Sequence, residues 1–259
     1  MPKQGEFVWH DLATTDVDAA TAFYSEIMAW KGAQLPGVEM TYIGFENADG
    51  VTVGGAMTLM PEMAAMGAPP SWTPCIASED IDAVCAKAVE LGGRVLNPPT
   101  DVPGGRFALV QDPQGAVFET YQAEDKNGEA EQHANPPAGH FCWYDLNTTD
   151  WEGARSFYEA LFGWSESGTM DDSPAGTYWM FKSTSGDRTV GGMSNMAATM
   201  GMPAHWLCYV TVADLDAALA RLQELGGKLL NGPMDIPGGD RIAHCMDPQG
   251  AAIALHASA

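Results

Sequence analysis

The sequence predicts an α+β protein built by duplication, with two tandem domains that each contain two βαβββ modules. Three observations carry this prediction. Phe7 to Trp30 align without gaps on Phe141 to Trp164, with 11 identities in 24 positions. Asp80 to Gly105 align on Asp214 to Gly239 at the same offset of 134, with 15 identities in 26. DPQG then follows in both copies, at Asp112 to Gly115 and at Asp247 to Gly250, so the offset has grown to 135 and the second copy carries one inserted residue near Asp240. A long internal period is the signature of a repeated structural unit, and it outranks any local reading.

Each element follows from its own pattern. Phe7 to Leu12 is an aromatic-rich run that reads as a strand, and Asp16 after it is placed to cap a helix with Ala20, Phe23, Tyr24 and Ile27 on one face. Ala154, Phe157, Tyr158 and Leu161 form the matching face in the second copy. Strands are expected at Met40 to Glu46, at Val51 to Leu59 and at Trp72 to Ser78, with Gly54-Gly55 marking a bulge or a close approach. A second helix starts at about Asp80 and stops at Gly92-Gly93, a C-terminal cap. Strands at Arg94 to Leu96, Arg106 to Gln111 and Ala116 to Gln122 complete the copy. Gln122 to Ala138 is polar, contains prolines and lacks apolar periodicity, so it reads as a linker. The boundaries are therefore set at 5–122 for the first domain, 123–138 for the linker and 139–258 for the second domain.

Charge narrows the possible partners. With 34 acidic against 12 basic residues, and a formal charge of -22, the chain repels the phosphates that a nucleic-acid binder must neutralise, and it repels anionic membranes as well. No apolar run approaches the roughly 20 residues of a membrane span, and the first residues lack a secretory apolar core, which sets a cytoplasmic location as the expectation. Cys75, Cys85, Cys142, Cys208 and Cys245 include no CxxC pair and lie mostly in apolar stretches, so they read as reduced core residues. Oligomeric state stays open.

The paired modules, the Asp-capped helix with FY near its middle, the GG stop and the DPxG turn resemble the vicinal-oxygen-chelate superfamily of glyoxalases, bleomycin-resistance proteins and extradiol dioxygenases. The closest likeness is to tandem glyoxalase-like proteins, and it covers both copies. The resemblance implies that each pair of modules curls an open sheet into a cup, which holds a divalent metal or, in the resistance proteins, a drug. It therefore implies lyases, isomerases and dioxygenases as well as binders, because one fold carries many functions.

The metal positions that the resemblance implies fall, in the first copy, on Trp9, Gly54-Gly55, Thr73 and Glu119, and in the second on Trp143, Gly191-Gly192, Leu207 and Ala254. Only Glu119 is a ligating residue, so no metal cofactor is expected, and Glu119 is instead a candidate catalytic base. His10 lies one residue from the first position, which turns its side chain to the opposite strand face. A displaced metal site of Asp145, His205 and His256 is the alternative, each lying two residues from an inherited position. Trp9, Asp11, Thr73, Trp143 and Asp145 are candidate ligand-binding residues on the cup floors. Arg106 and Arg241, after the PGG turns, are candidates to clamp an anionic group, unless a nearby acid takes them. The Met-rich crossovers Met60 to Pro70 and Met193 to Pro203 suit either a roof over the cups or packing between modules. The expected function is binding of a small, largely apolar molecule without a metal. A metal-dependent lyase, isomerase or dioxygenase is one alternative, and an interaction protein with filled cups is another. Because the two copies differ at the cup floor, function is expected to be unequal between them, with the first copy favoured.

Overall fold

The computed structural model describes residues 2–38, 40–65, 67–124, 136–173, 175–184 and 186–259. In the first copy the elements are β1 (Phe7–Thr14), α1 (Val17–Met28), β2 (Lys31–Gln34), β3 (Tyr42–Glu46), β4 (Thr52–Thr58), α2 (Pro61–Ala65), β5 (Ser71–Ala77), α3 (Ile81–Glu90), β6 (Arg94–Val102), β7 (Gly105–Gln111) and β8 (Val117–Ala123). The second copy repeats them as β9 (Phe141–Asn147), α4 (Trp151–Phe162), β10 (Ser165–Ser173), β11 (Gly176–Lys182), β12 (Thr189–Ser194), α5 (Met196–Met200), β13 (His205–Thr211), α6 (Leu215–Glu224), β14 (Lys228–Asp235), β15 (Arg241–Met246) and β16 (Ala252–Ala257). Each copy forms one open eight-stranded sheet, ordered β2-β3-β4-β1-β5-β8-β7-β6 in the first and β10-β11-β12-β9-β13-β16-β15-β14 in the second. The α+β class and the paired βαβββ modules are as expected.

Three local readings need correction. Strand β2 was not picked out because all four of its residues are exposed, leaving no apolar alternation to read. Strand β6 runs well past Leu96, to Val102; it is an edge strand whose register shifts between Asn97 and Thr100 absorb Pro98-Pro99, and an edge is where proline is tolerated. The Met-rich crossovers contain the short helices α2 and α5. Among the described residues no helix is long and apolar enough to cross a membrane.

The four long helices start alike. Asp16, Asp80, Asp150 and Asp214 sit in extended backbone, and each carboxylate accepts from the backbone N–H three residues on, at 3.0, 3.0, 3.1 and 3.0 Å. Each cap satisfies a donor that the first helical turn leaves open. All five cysteines are buried, and none of them forms a disulfide.

The compact units of the chain are not the two copies. One unit joins most of the first copy's second module, with α3, to most of the second copy's first module, with α4; the other joins α1 and its strands to α6 and its strands. In the α1/α6 unit, Leu12, Phe23, Tyr24 and Ile27 share one core with Val210, Leu219, Leu222 and Leu255. Tyr24 donates its hydroxyl proton to Asp247 Oδ2 (3.0 Å) and accepts from Trp72 Nε1 (2.9 Å), while Asp247 Oδ1 accepts from the backbone N–H groups of Gln249, Gly250 and Ala251 at 3.0, 2.7 and 2.8 Å.

The α3/α4 unit repeats this latch with the copies exchanged. Tyr158 donates to Asp112 Oδ2 (3.1 Å) and accepts from Trp206 Nε1 (3.3 Å), and Asp112 Oδ1 caps the Gln114, Gly115 and Ala116 N–H groups. Burial raises both aspartates above the usual carboxylate range against the pull of these hydrogen bonds, and burial drives both tyrosines well above 10.0. The FY and DPQG motifs are thus two ends of one structural contact.

Candidate functional site

Strand alternation sets which side chains leave the helix-packed face. Leu12 lies in the α1/α6 core, so Asp11, its neighbour on β1, points to the other face. His10 points with Leu12. Its ring is buried, stacks on Phe141 with centroids 3.5 Å apart, and places Nδ1 2.8 Å from the Val53 carbonyl oxygen, an acceptor that requires Nδ1–H. Desolvation lowers its pKa to about 3, so the ring is neutral. Its counterpart Tyr144 stacks on Phe7 at 3.6 Å, which makes both positions structural.

Asp11 accepts a hydrogen bond from the Tyr42 hydroxyl, and Asp145 accepts one from the Tyr178 hydroxyl at 2.5 Å. Tyr42 is on β3, with β4 lying between it and β1. It reaches across because the β4 residue paired with Asp11 is Gly55; a Cβ there would lie 2.5 Å from the Tyr42 ring. In the second copy Gly192 is paired with Asp145, and a Cβ on it would lie 2.1 Å from the Tyr178 ring. Gly55 and Gly192 are therefore troughs that each carry a tyrosine ring. Sequence reading missed both tyrosines because they stand 136 residues apart, not 134, and so do not line up in a gapless comparison.

The remaining candidates divide between the two units. In the α3/α4 unit, Trp9 is half-buried on β1, and Glu119 is buried on β8, where it is the register partner of Cys75 on β5. Arg106 forms a two-pronged pair with Asp82 at 2.7 and 3.2 Å and lines a surface depression of about 420 Å³ together with Asp101, Gln122 and Glu124. His205 has Nδ1 2.9 Å from the Pro203 carbonyl oxygen and Nε2 3.4 Å from the Asn147 amide.

In the α1/α6 unit, Thr73 and Trp143 are half-buried on β5 and β9. Arg241 pairs with Asp216 at 2.8 and 3.0 Å, and His256 lies between Asp240 (3.0 Å) and Thr211 (3.3 Å). The arginines hold Asp82 and Asp216 below the usual carboxylate range. Both arginines are thus taken by acids at the first turn of α3 and α6.

The inherited metal positions do not fit a metal. They offer indole, glycine, threonine and one carboxylate in the first copy, and indole, glycine, leucine and alanine in the second, with tyrosine rings over the glycines. Among the described residues no three His, Cys, Asp or Glu side chains are gathered as metal ligands. What the aspartate–tyrosine pairs offer is a carboxylate oriented by a phenol. A carboxylate has about four acceptor positions, and the tyrosine bond occupies one of them.

Comparison with known proteins agrees with this architecture. The family described as the glyoxalase/bleomycin resistance protein/dioxygenase superfamily matches residues 6–120 and again 138–255. CFP32 of Mycobacterium tuberculosis, which carries glyoxylase in its name, is 36% identical over 97% of this chain and 96% of its own. The anthracycline biosynthesis protein DnrV of Streptomyces peucetius is 32% identical over 97% of this chain and 92% of its own. Among solved structures, the Mn(II)-bound glyoxalase of Novosphingobium aromaticivorans has a TM-score of 0.67 at 16% identity, covering 99% of this chain and 83% of its own. The 2,2',3-trihydroxybiphenyl 1,2-dioxygenase of Sphingomonas wittichii has a TM-score of 0.65 at 13% identity, covering 100% and 91%. At such identities these structures speak for the fold alone. With both copies matched by the family and the modules in place, the chain belongs to the glyoxalase/bleomycin resistance protein/dioxygenase superfamily, as a tandem member.

Proposed function

We propose that the chain binds a small, largely apolar aromatic molecule without a metal, and that Asp11 and Asp145, each oriented by a tyrosine, accept a hydrogen bond from a ligand hydroxyl. The observation that carries this reading is the occupation of the second metal position, in both copies, by a tyrosine ring lying on glycine. A ring there supplies an apolar edge and fixes one carboxylate oxygen, the mixed lining that small-molecule sites use. The 32% identity to DnrV, named for anthracycline biosynthesis, supports a planar, hydroxylated aromatic ligand. Quenching of anthracycline fluorescence by the full chain tests the reading. Saturable quenching that weakens in Tyr42→Phe or Tyr178→Phe is expected, and a wild-type chain that quenches nothing would remove it.

A metal-dependent lyase, isomerase or dioxygenase is the second reading. One observation favours it: Glu119 keeps the fourth inherited position, beside Cys75. Elemental analysis of chain purified without chelators or an affinity tag separates the two, since stoichiometric Mn, Fe, Ni or Zn would support the enzyme.

A further inference from the structure

The two copies share a bulge in the hairpin at one sheet edge but differ in the residue that follows its asparagine. In the first copy β6 pairs with β7 through Asn97↔Leu109 and resumes at Thr100↔Phe107, so Pro98-Pro99 form the bulge. In the second copy β14 pairs with β15 through Asn231↔His244 and resumes at Met234↔Ile242, so Gly232-Pro233 form it. Both β6 and β14 are edge strands. A bulge leaves its extra residue outside the ladder and bends the strand. The surrounding sequences are close relatives, VLNPPTDVPGGR at 95–106 and LLNGPMDIPGGDR at 229–241.

Proline and glycine differ here in a group that decides the chemistry. Pro98 has no backbone N–H. Gly232 has one, with no side chain beside it to shield it. The bulge of the second copy keeps glycine for its own reason: Gly232 has φ +100°, and a Cβ on it would lie 2.9 Å from the Ile242 carbonyl oxygen. Asn231 in turn is exposed, and its side-chain nitrogen donates to the Met234 thioether at 3.6 Å, a weak acceptor. The Asn97 side-chain nitrogen instead donates to two oxygens, the Pro98 carbonyl at 3.2 Å and Thr100 Oγ1 at 3.3 Å. Among the described residues Asn231 is the one asparagine followed by glycine.

We infer that Asn231-Gly232 is a self-modification site, where the asparagine converts to aspartate and isoaspartate with water as the co-reactant. The Gly232 backbone nitrogen gives up its proton, bonds to Asn231 Cγ and closes a cyclic imide, while the side-chain nitrogen takes up a proton and leaves as ammonia. Water then opens the ring. Cleavage of the Cγ–N bond gives aspartate in a normal chain. Cleavage of the bond to the Asn231 main-chain carbonyl carbon gives isoaspartate, with the chain now running through Cγ. Nothing is oxidised or reduced, and either product adds a carboxylate to a chain of formal charge -22. Ring closure requires the Asn231 backbone to turn towards its own side chain, a motion that a continuous ladder resists and a bulge permits. The site shares no residue with the aspartate–tyrosine pairs and does not rest on the ligand reading above.

Tryptic mapping of the full folded chain tests this, after ageing at mildly alkaline pH for as long as a urea-unfolded sample needs to convert. Peptides 229–241 and 95–106 each hold a single asparagine and no glutamine, so the mass gained when O replaces NH has one source in each. In the folded chain 229–241 is expected to convert faster than 95–106 by about tenfold or more, a barrier difference of about 1.4 kcal/mol or more. Isoaspartate should elute beside aspartate in the converted 229–241, as the imide requires. Pro98→Gly gives the first copy's bulge an N–H and is expected to make 95–106 convert as well, while Asn231→Gln should leave 229–241 unchanged over the same period. Intact 229–241 in the aged folded chain, aspartate without isoaspartate, or an unconverted 95–106 in Pro98→Gly overturns the inference.

Discussion

At the scale of single residues, Gly55 and Gly192 matter for the volume they leave empty. Gly55→Ala would place a methyl 2.5 Å from the Tyr42 ring, so the ring must leave Asp11 or the strand must move. A loss of about 1–3 kcal/mol in urea-unfolding stability is expected, as for other overpacked sites, and Tyr42→Ala in the same chain should recover most of it. His10 makes the second residue-scale prediction. Its folded pKa of about 3 is below the ordinary 6.5, so its contribution to stability is complete above 6.5 and is lost as pH falls towards 3, at up to about 1.4 kcal/mol per pH unit. Asp112 and Asp247 act oppositely: their folded pKa values are raised, so their contribution grows as pH falls through those values and offsets part of the loss. In His10→Tyr, which copies Tyr144, the stability curve between those two pH values should flatten, measured by urea titration at a series of pH values. An unchanged acid limb would show that His10 is not the group that titrates.

At the scale of elements, the latch ties a helix to a turn. Tyr158→Phe strips Asp112 Oδ2 and Trp206 Nε1 of the Tyr158 hydroxyl inside a buried cluster with Phe118 and Phe162. Leaving two buried polar groups unsatisfied costs roughly 2–5 kcal/mol, so this variant should unfold at markedly lower urea, and Tyr24→Phe should behave the same way through Asp247. The helix caps are cheaper. Asp150→Ala is expected to lose only about 1 kcal/mol, because it frees one exposed donor at the start of α4. A latch variant no worse than a cap variant would mean that water replaces the tyrosine.

At the scale of the molecule, the repeat and the compact units divide the chain differently. We keep 5–122 and 139–258 as the boundaries of the repeat, with residues 125–135 of the linker outside the described residues. However, α1 buries its apolar face against α6, and α3 packs with α4, so each copy's helices find their cores in the other copy. Neither copy's helices are therefore packed within that copy alone. Residues 1–124 alone should therefore lack a cooperative unfolding transition and expose apolar surface, and mixing them with residues 136–259 should restore the transition. Cooperative unfolding of the first fragment by itself would show that the shared cores are dispensable.

Duplication, βαβββ order and helix caps were legible in the chain itself, because each rests on spacing along one strand or one helix. His10 was also read correctly, since a one-residue step decides a strand face whatever surrounds it. Tyr42 and Tyr178 were not singled out, for a different reason. Their partners, Asp11 and Asp145, lie on strands brought together by pairing and register, and a reach across a glycine leaves no period in the sequence. The same holds for FY and DPQG, which the sequence displays as two separate motifs. Only tertiary structure shows that Tyr24 answers Asp247 and Tyr158 answers Asp112, because the contact runs from one copy to the other, and nothing local in either motif names its partner.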